Sequence, residues 1–384
     1  MHSLHLILLA APAWAAIPPP FSWSTVPLFF HSTNQSGLWN VRALERMRAF
    51  SIITMDKPQG LSNSSDARPE EARALDAARA IRAAVGEAPT ILFYQNTMID
   101  WHMYSTHAAL IANPALRLRN ASGEDALFLG SMWLFDVTTP AGRAVPAGLC
   151  AALARADAGA TYDGCFLDRG SPLGNGSFGP QASFTPAQTA AINAGHVALL
   201  AGLVTELAAA GQRALLNNNG DFSLAPALRM IEDFGASEAC IGALQQFAAL
   251  GAPVEAHAGY FADGTDAKCA SPPINSLAAF LIGAGERAYY ACAPGWTTDA
   301  RWPAAADPWL DPLPQYARPL GAPLANASRS PEGMWRRRFA SGTNVSFNAK
   351  TGNGRIEWGD GTVDLGTNTG SAPNACKWWA TRGT

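Results

Sequence analysis

Eight short apolar runs, most of them followed by a stretch with helical spacing, constrain this chain more than any other feature. Apolar runs bounded by turns read as buried parallel strands, and parallel strands need a crossover, usually a helix, between them. The runs are "VPLFF" (26–30), "SIITM" (51–55), "TILFY" (90–94), Cys165-Phe166-Leu167, "RALLN" (213–217), "RMIEDF" (229–234), "PVEAHAG" (253–259) and "RAYYA" (287–291). Between them Val41, Leu44, Met47 and Phe50 fall on one helix face. Pro69 opens a helix carrying Leu75, Ala78, Ile81 and Val85, and Val145, Leu149 and Leu153 mark another near 138–156. Thr185-Pro186-Ala187-Gln188 is a capping box that starts a helix with Ile192, Leu199, Leu203 and Leu207. Ile241, Leu244 and Phe247 mark the helix between runs six and seven, and a last helix spans 276–285; the helix between runs five and six has the thinnest signal. This α/β alternation predicts a (β/α)8 TIM barrel over residues 16–300. Beyond it, over 301–384, a proline-rich connector leads to a small C-terminal antiparallel β appendage with Gly-rich turns.

The length of 384 residues and 48% hydrophobic composition suffice for a large core. A net charge of −3 without a basic block excludes the electrostatic footprint of a nucleic-acid binder. The N-terminus has an apolar core, Leu4 to Ala11, and a small-x-small site, Ala13-Trp14-Ala15, so residues 1–15 read as a cleaved secretory signal. Every later apolar stretch is broken by Gly, Pro or charge, and none is expected to span a membrane. Six glycosylation sequons, at Asn34, Asn63, Asn120, Asn175, Asn326 and Asn344, fall in expected loops or edges. Six cysteines without metal spacing favour disulfides. If Phe166 and Asp168 face inward, Cys165 faces the helices, one of which carries Cys150, and Cys269 and Cys292 are rim neighbours; Cys150–Cys165 and Cys269–Cys292 are the expected pairs.

A parallel barrel gathers the carboxyl ends of its strands on one rim. His31, Asp56, Gln95, Asn96, Asp168, Asn217, Glu232 and His257 all stand at such ends. An Asp after a strand often caps the next helix. Asp168 has no such use, because its next helix starts only near Thr185. Of Glu232 and Asp233, strand alternation sends one inward and one outward. His31 and His257 read more readily as hydrogen-bonded rim or core histidines than as catalysts. Without an H-x-H or a tight His/Asp cluster, neither a metal nor a cofactor is expected. The long connection 95–137 is rich in aromatics; "YQNTMIDWHMY" sets Tyr94, Trp101 and Tyr104 beside Gln95, Asn96 and Asp100, flat faces and polar groups that suit a sugar ring or, equally, core packing.

Two carboxylates on one rim suit glycosidic cleavage, one protonating the leaving oxygen while the other attacks or activates water. The motifs "FYQNTMIDW", "LFDVTTPAGR", "DGCFLDR", "LLNNNG" and "MIEDFG", with the tail "YARPLGAPLANAS…WRRRFASGTNVSFN", occur in an order that resembles the hypothetical glycosyl hydrolases with TIM barrels, distantly similar to polygalactosaminidase-like glycosidases. The resemblance implies Asp168 as nucleophile or base and Glu232 as acid. It departs at Arg169, where many such barrels have a small polar residue, and at Asp233, a rival acid. The expected protein is a secreted, monomeric glycosidase acting on an oligo- or polysaccharide, with Tyr94, Gln95, Asn96, Asp100, Trp101, Asn217, Asp233 and His257 around the substrate. A lectin-like barrel without catalysis is the alternative; a metal-dependent deacetylase using Asp168 and His257 is a third reading.

Overall fold

The computed structural model describes residues 19–61, 66–169, 178, 182–209, 214–218, 228–259, 269, 273–367 and 376, with 214–218 described by backbone alone. The first unit is β1 (Phe29–Ser32), α1 (Val41–Arg46), β2 (Ile52–Met55), α2 (Glu70–Val85) and β3 (Thr90–Asn96). The connection then builds its own structure: α3 (Thr106–Ala112) and a hairpin of β4 (Leu127–Phe128) and β5 (Met132–Trp133). Next come α4 (Pro140–Ala154), β6 (Gly164–Asp168), α5 (Pro186–Ala209), β7 (Ala214–Asn218) and β8 (Leu228–Phe234). Then α6 (Glu238–Ala249), β9 (Val254–Ala258), α7 (Ile274–Gly283) and β10 (Ala288–Cys292) complete the alternation. All eight expected strands lie in one sheet, in the order β1-β2-β3-β6-β7-β8-β9-β10, and every pairing in it is parallel. The expected helix between runs five and six, like the N-terminal signal, lies outside the described residues.

The connection after β3 is packed rather than draped. Met98, Ile99, Leu110, Leu118, Leu134, Phe135 and Val137 bury against Cys150 of α4, Cys165 and Leu167 of β6, and Ile192, Leu199 and Leu203 of α5. Gly195 is what lets α5 approach, since a Cβ there would stand 2.1 Å from the Val137 carbonyl oxygen. The capping box forms: Gln188 N–H donates to Thr185 Oγ1 at 3.2 Å and Thr185 N–H to Gln188 Oε1 at 2.9 Å. At 24 residues α5 is long and apolar enough to cross a bilayer, but its buried Ile192, Leu199, Leu200, Leu203 and Leu207 make it a core helix of this fold.

The C-terminal strands β11 (Ser328–Arg329), β12 (Met334–Arg338), β13 (Asn344–Asn348), β14 (Asn353–Glu357) and β15 (Val363–Leu365) form a five-stranded antiparallel sheet. Its inner residues Val345, Phe347 and Ile356 join the main core beside α7. Arg337, pulled down to a pKa of about 10 by burial, donates to the carbonyls of Leu281, Ile282 and Ala284 and so satisfies the end of α7.

Three disulfides close the fold: Cys150–Cys165, Cys269–Cys292 and Cys240–Cys376. The first two are the pairs expected from strand alternation and rim neighbourhood. Two sequon asparagines stand in turns, as expected, but are buried there. Asn34 and Asn120 are 8% and 7% exposed, and each turns its Oδ1 onto the N–H and hydroxyl of the serine two residues on. Asn326 is exposed and Asn344 half-buried, while Asn63 and Asn175 lie outside the described residues.

Candidate active site

The Cys150 disulfide fixes which face of β6 is which. Cys165 faces α4, so Leu167 shares that side and Phe166 and Asp168 point the other way. The register of β3 against β6 is Tyr94↔Phe166, Gln95↔Leu167 and Asn96↔Asp168, which puts Tyr94 and Asn96 on the face of Asp168. Gln95 is on the opposite face, wholly buried, with its amide donating to the Asn96 carbonyl at 2.7 Å. Its expected contact with substrate is therefore corrected by strand alternation.

Three donors fix the Asp168 carboxylate. The Tyr94 hydroxyl and Asn96 Nδ2 reach Oδ2 at 2.6 and 2.9 Å, and the Arg169 N–H reaches Oδ1 at 2.8 Å. Charge-assisted donors of this kind hold a carboxylate in one orientation. The backbone turns sharply just after it: Arg169 has φ 61°, a strained value for a residue with a side chain. Thr97 clamps that turn, its hydroxyl donating to the Asp168 carbonyl at 2.9 Å and lying 2.9 Å from Nε2 of the buried His196 on α5. The Arg169 guanidinium lies beside the Phe128 and Phe178 rings, 5.5 and 5.4 Å from their centres, with Phe128 on the β4–β5 hairpin.

A second polar group adjoins this one. Lys57 Nζ stands 3.7 Å over the Tyr94 ring and 4.9 Å from the Trp101 ring, and 3.3 Å from Asp56 Oδ1. His31 Nε2 lies 3.5 Å from Asp56 Oδ2, both side chains almost fully buried. Burial alone would raise the Asp56 carboxyl, but Lys57, His31 and the Lys57 N–H hold it below the usual carboxylate range. Burial pulls His31 below its ordinary value against the attraction of Asp56. The Tyr94 phenol is pushed well up by burial and by the charges of Asp168 and Asp56, so it remains a donor. Sequence reasoning placed Asp56 and His31 at strand ends but gave neither a role, and it missed Lys57; an acid-base pair closing β2 was the available signal.

Aromatic rings wall the site. His31 packs edge-on to Phe166 at 4.4 Å and against Trp296 at 4.5 Å. His257 lies under Trp296 at 4.2 Å and parallel to Trp309 at 5.5 Å, with Nε2 3.1 Å from the Ala293 carbonyl. It is wholly buried, and burial lowers its pKa to about 3. His257 supports the wall, and its expected place at the substrate is corrected accordingly. Trp296 was not singled out from sequence because it follows the last strand in a Gly-Pro loop.

Asp100 is corrected too. It is fully buried, raised in pKa by burial, with Oδ2 2.6 Å from His107 Nδ1 and its N–H on the Trp133 carbonyl at 2.9 Å. His107 in turn stacks on Trp133 at 5.1 Å. Asp100 thus ties down the connection that carries the half-buried Trp101 to Lys57. Glu232 and Asp233 sit in a β-bulge: β8 and β9 pair Ile231↔Ala256 and then Phe234↔Ala258, two residues against His257 alone. Asp233 Oδ2 accepts the Cys376 N–H at 2.9 Å, so one oxygen of this acid is engaged beside the Cys240–Cys376 bridge. Glu232 is half-buried. Asn217 pairs with Leu167 in backbone register, and its side chain lies outside the described residues. Among the described residues no group of three or more His, Cys, Asp or Glu could hold a metal ion.

These features define an α/β protein with its polar site at the carboxyl edge of a parallel sheet. The model of hypothetical glycosyl hydrolase family 15 matches residues 88–343, more than half of the chain, and the chain belongs to that family. No curated protein matches the sequence. Among solved structures, the maltogenic alpha-amylase AmyB from Thermotoga neapolitana aligns with a TM-score of 0.53 at 9% identity, over 88% of this chain and 93% of that one. The galactosidase domain of the alpha-galactosidase-sucrose kinase AgaSK aligns at 0.47 and 9% identity over 86% of this chain. A xylosidase from Aspergillus niger aligns at 0.48 and 15% identity over 76% of it. The chain spans about half the length of these last two, 46% of each.

Proposed function

We propose that this chain is a secreted glycoside hydrolase that cleaves O-glycosidic bonds of an oligo- or polysaccharide, with Asp168 and Glu232 as its carboxylate pair. The observation that carries this reading is the fixed Asp168 carboxylate, held by Tyr94, Asn96 and the Arg169 N–H beside an aromatic wall, in a member of a glycosyl hydrolase family. Asp168 serves as nucleophile or base. Glu232 serves as acid, a role that Asp233 is poorly placed to take while it holds Cys376. Asp56 and Lys57 offer an acceptor and a donor to sugar hydroxyls, and Trp101 and Trp296 offer flat faces.

In this reading residues 16–300 form a closed (β/α)8 barrel and 301–384 its appendage. Closure is supported by the parallel bridge Leu28↔Tyr290 and by the Tyr290 N–H on the Pro27 carbonyl at 2.8 Å, which join the last strand to the first. Three disulfides support an oxidising, extracellular setting.

A screen of polysaccharides for reducing-sugar release tests the reading with wild type, Asp168→Asn and Glu232→Gln. The expected result is release by wild type and a loss of about a thousandfold in each variant, the range set by general acid-base catalysis. A carboxyl separation of about 5–5.5 Å in a ligand complex would imply retention, and about 6.5–9.5 Å inversion. Tight glycan binding with no release from any polymer would favour a lectin.

A further inference from the structure

The outer face of the C-terminal sheet is a second, separate surface with a composition of its own. The antiparallel register aligns Ser328, Arg336, Ser346 and Arg355 in one row, and Arg338, Asn344 and Glu357 in the next. These residues, with Leu324 and Asn326, line an open groove of about 850 Å³. The alternate residues Arg337, Val345, Phe347 and Ile356 are buried, so the groove face is the one turned away from the core. Arg336, Arg338 and Arg355 are exposed. Among the described residues only Arg355 has an ion pair, with Glu357 at 3.7 Å, and none involves Arg336 or Arg338.

A folded surface ordinarily mixes its charges. Here three guanidinium groups face one carboxylate, interleaved with serine hydroxyls and asparagine amides. Arg336 and Arg355 are two strand spacings apart, about 10 Å, and Arg336 and Arg338 about 7 Å apart along one strand. The strands thus present planar forks that match carboxylates bidentately, with hydroxyl- and amide-bearing side chains between them for sugar hydroxyls.

We propose that this face binds an acidic polysaccharide, one whose sugars carry carboxylates. The inference does not depend on the catalytic reading, because the groove lies on a different sheet from Asp168.

Affinity electrophoresis tests it on the whole protein, freed of N-glycans because Asn344 shares the face. The gels contain polygalacturonate, fully methyl-esterified polygalacturonate, dextran sulfate or dextran. Polygalacturonate should retard the wild type most, with no retardation by the ester or by dextran. The exposed double variant Arg336→Ser/Arg338→Ser should weaken that binding by about tenfold, from two lost charge-assisted contacts. Arg46→Ser/Arg48→Ser, an equal charge change on the other unit, should leave it unchanged. Asp168→Asn should bind as wild type does. Equal retardation by dextran sulfate would reduce the face to a general polyanion patch and overturn the inference, as would an unretarded wild type or equal losses in both double variants.

Discussion

The carboxyl edge of the sheet near β3 and β6 and the edge near β8 and β9 are built from similar sequence, a buried apolar strand ending in acid, and they are used differently. On the first side Asp168 keeps strict alternation, meets three donors from its neighbours and stays half-exposed. On the second a bulge breaks alternation, Asp233 is drawn to the Cys376 N–H, and His257 is sealed under two tryptophans. The pleat delivers Asp168 to the face of Tyr94 and Asn96, and its neighbouring donors leave part of it accessible. At Asp233 the Cys376 N–H takes up one carboxylate oxygen instead.

The largest effect that sharpens this contrast is on the scaffold side. Cys240–Cys376 spans 136 residues and Cys150–Cys165 only 15. On the loop-entropy account the first stabilises by about 5 kcal/mol and the second by about 3. Chemical denaturation of Cys240→Ser/Cys376→Ser and Cys150→Ser/Cys165→Ser should show that order. Equal losses would mean that Asp233 guards a bridge of no special weight.

Next is Tyr94→Phe, which deletes one donor to Asp168 and should lower kcat by about tenfold or more, since hydrogen bonds to charged groups contribute about 1.5–3 kcal/mol. Steady-state kinetics on any polymer the wild type cleaves reads this. A change in KM alone would move Tyr94 from holding the carboxylate to holding substrate.

His257 gives a pH dependence. Its folded pKa of about 3 lies below the unfolded 6.5, so the unfolded chain takes up a proton that the folded chain refuses. Its contribution is complete above pH 6.5 and is lost as pH falls from 6.5 toward 3, reaching about 2 kcal/mol at pH 5. His196, lowered to about 4 by burial, acts in the same direction. His257→Gln should therefore flatten the fall in unfolding free energy between pH 7 and pH 5 by about 2 kcal/mol, with some acid loss left from His196. An unchanged slope would contradict a sealed His257.

The smallest effect is Trp101→Ala. Trp101 packs beside Lys57 and is shared by ground and transition states, so KM should rise about fivefold with kcat retained. A lower melting temperature with KM unchanged would make it a strut of the connection.

Much of the fold was legible because it depends on period. Eight apolar runs gave eight parallel strands, the capping box at Thr185 formed, and alternation at Cys165 sufficed to pair it with Cys150. The clustering of Asp168, Tyr94 and Asn96 in the candidate site was legible, because all three obey that same alternation. It was misread at Gln95, where a polar residue occupies the outer face, and at Asp100, where burial on His107 serves the loop. Lys57 and Trp296 were missed because neither periodicity nor spacing marks a residue just past a strand as facing inward. The Cys240–Cys376 bridge is nonlocal, and nothing near Asp233 in sequence announces that its carboxylate is taken.

The most direct test sets the two acids against each other: reducing-sugar release and melting temperature for Asp168→Asn and Asp233→Asn, side by side with wild type on a polymer it cleaves. The account predicts that Asp168→Asn loses about a thousandfold in turnover and remains folded, while Asp233→Asn keeps its turnover. Turnover surviving in Asp168→Asn, or vanishing in a folded Asp233→Asn, would contradict it.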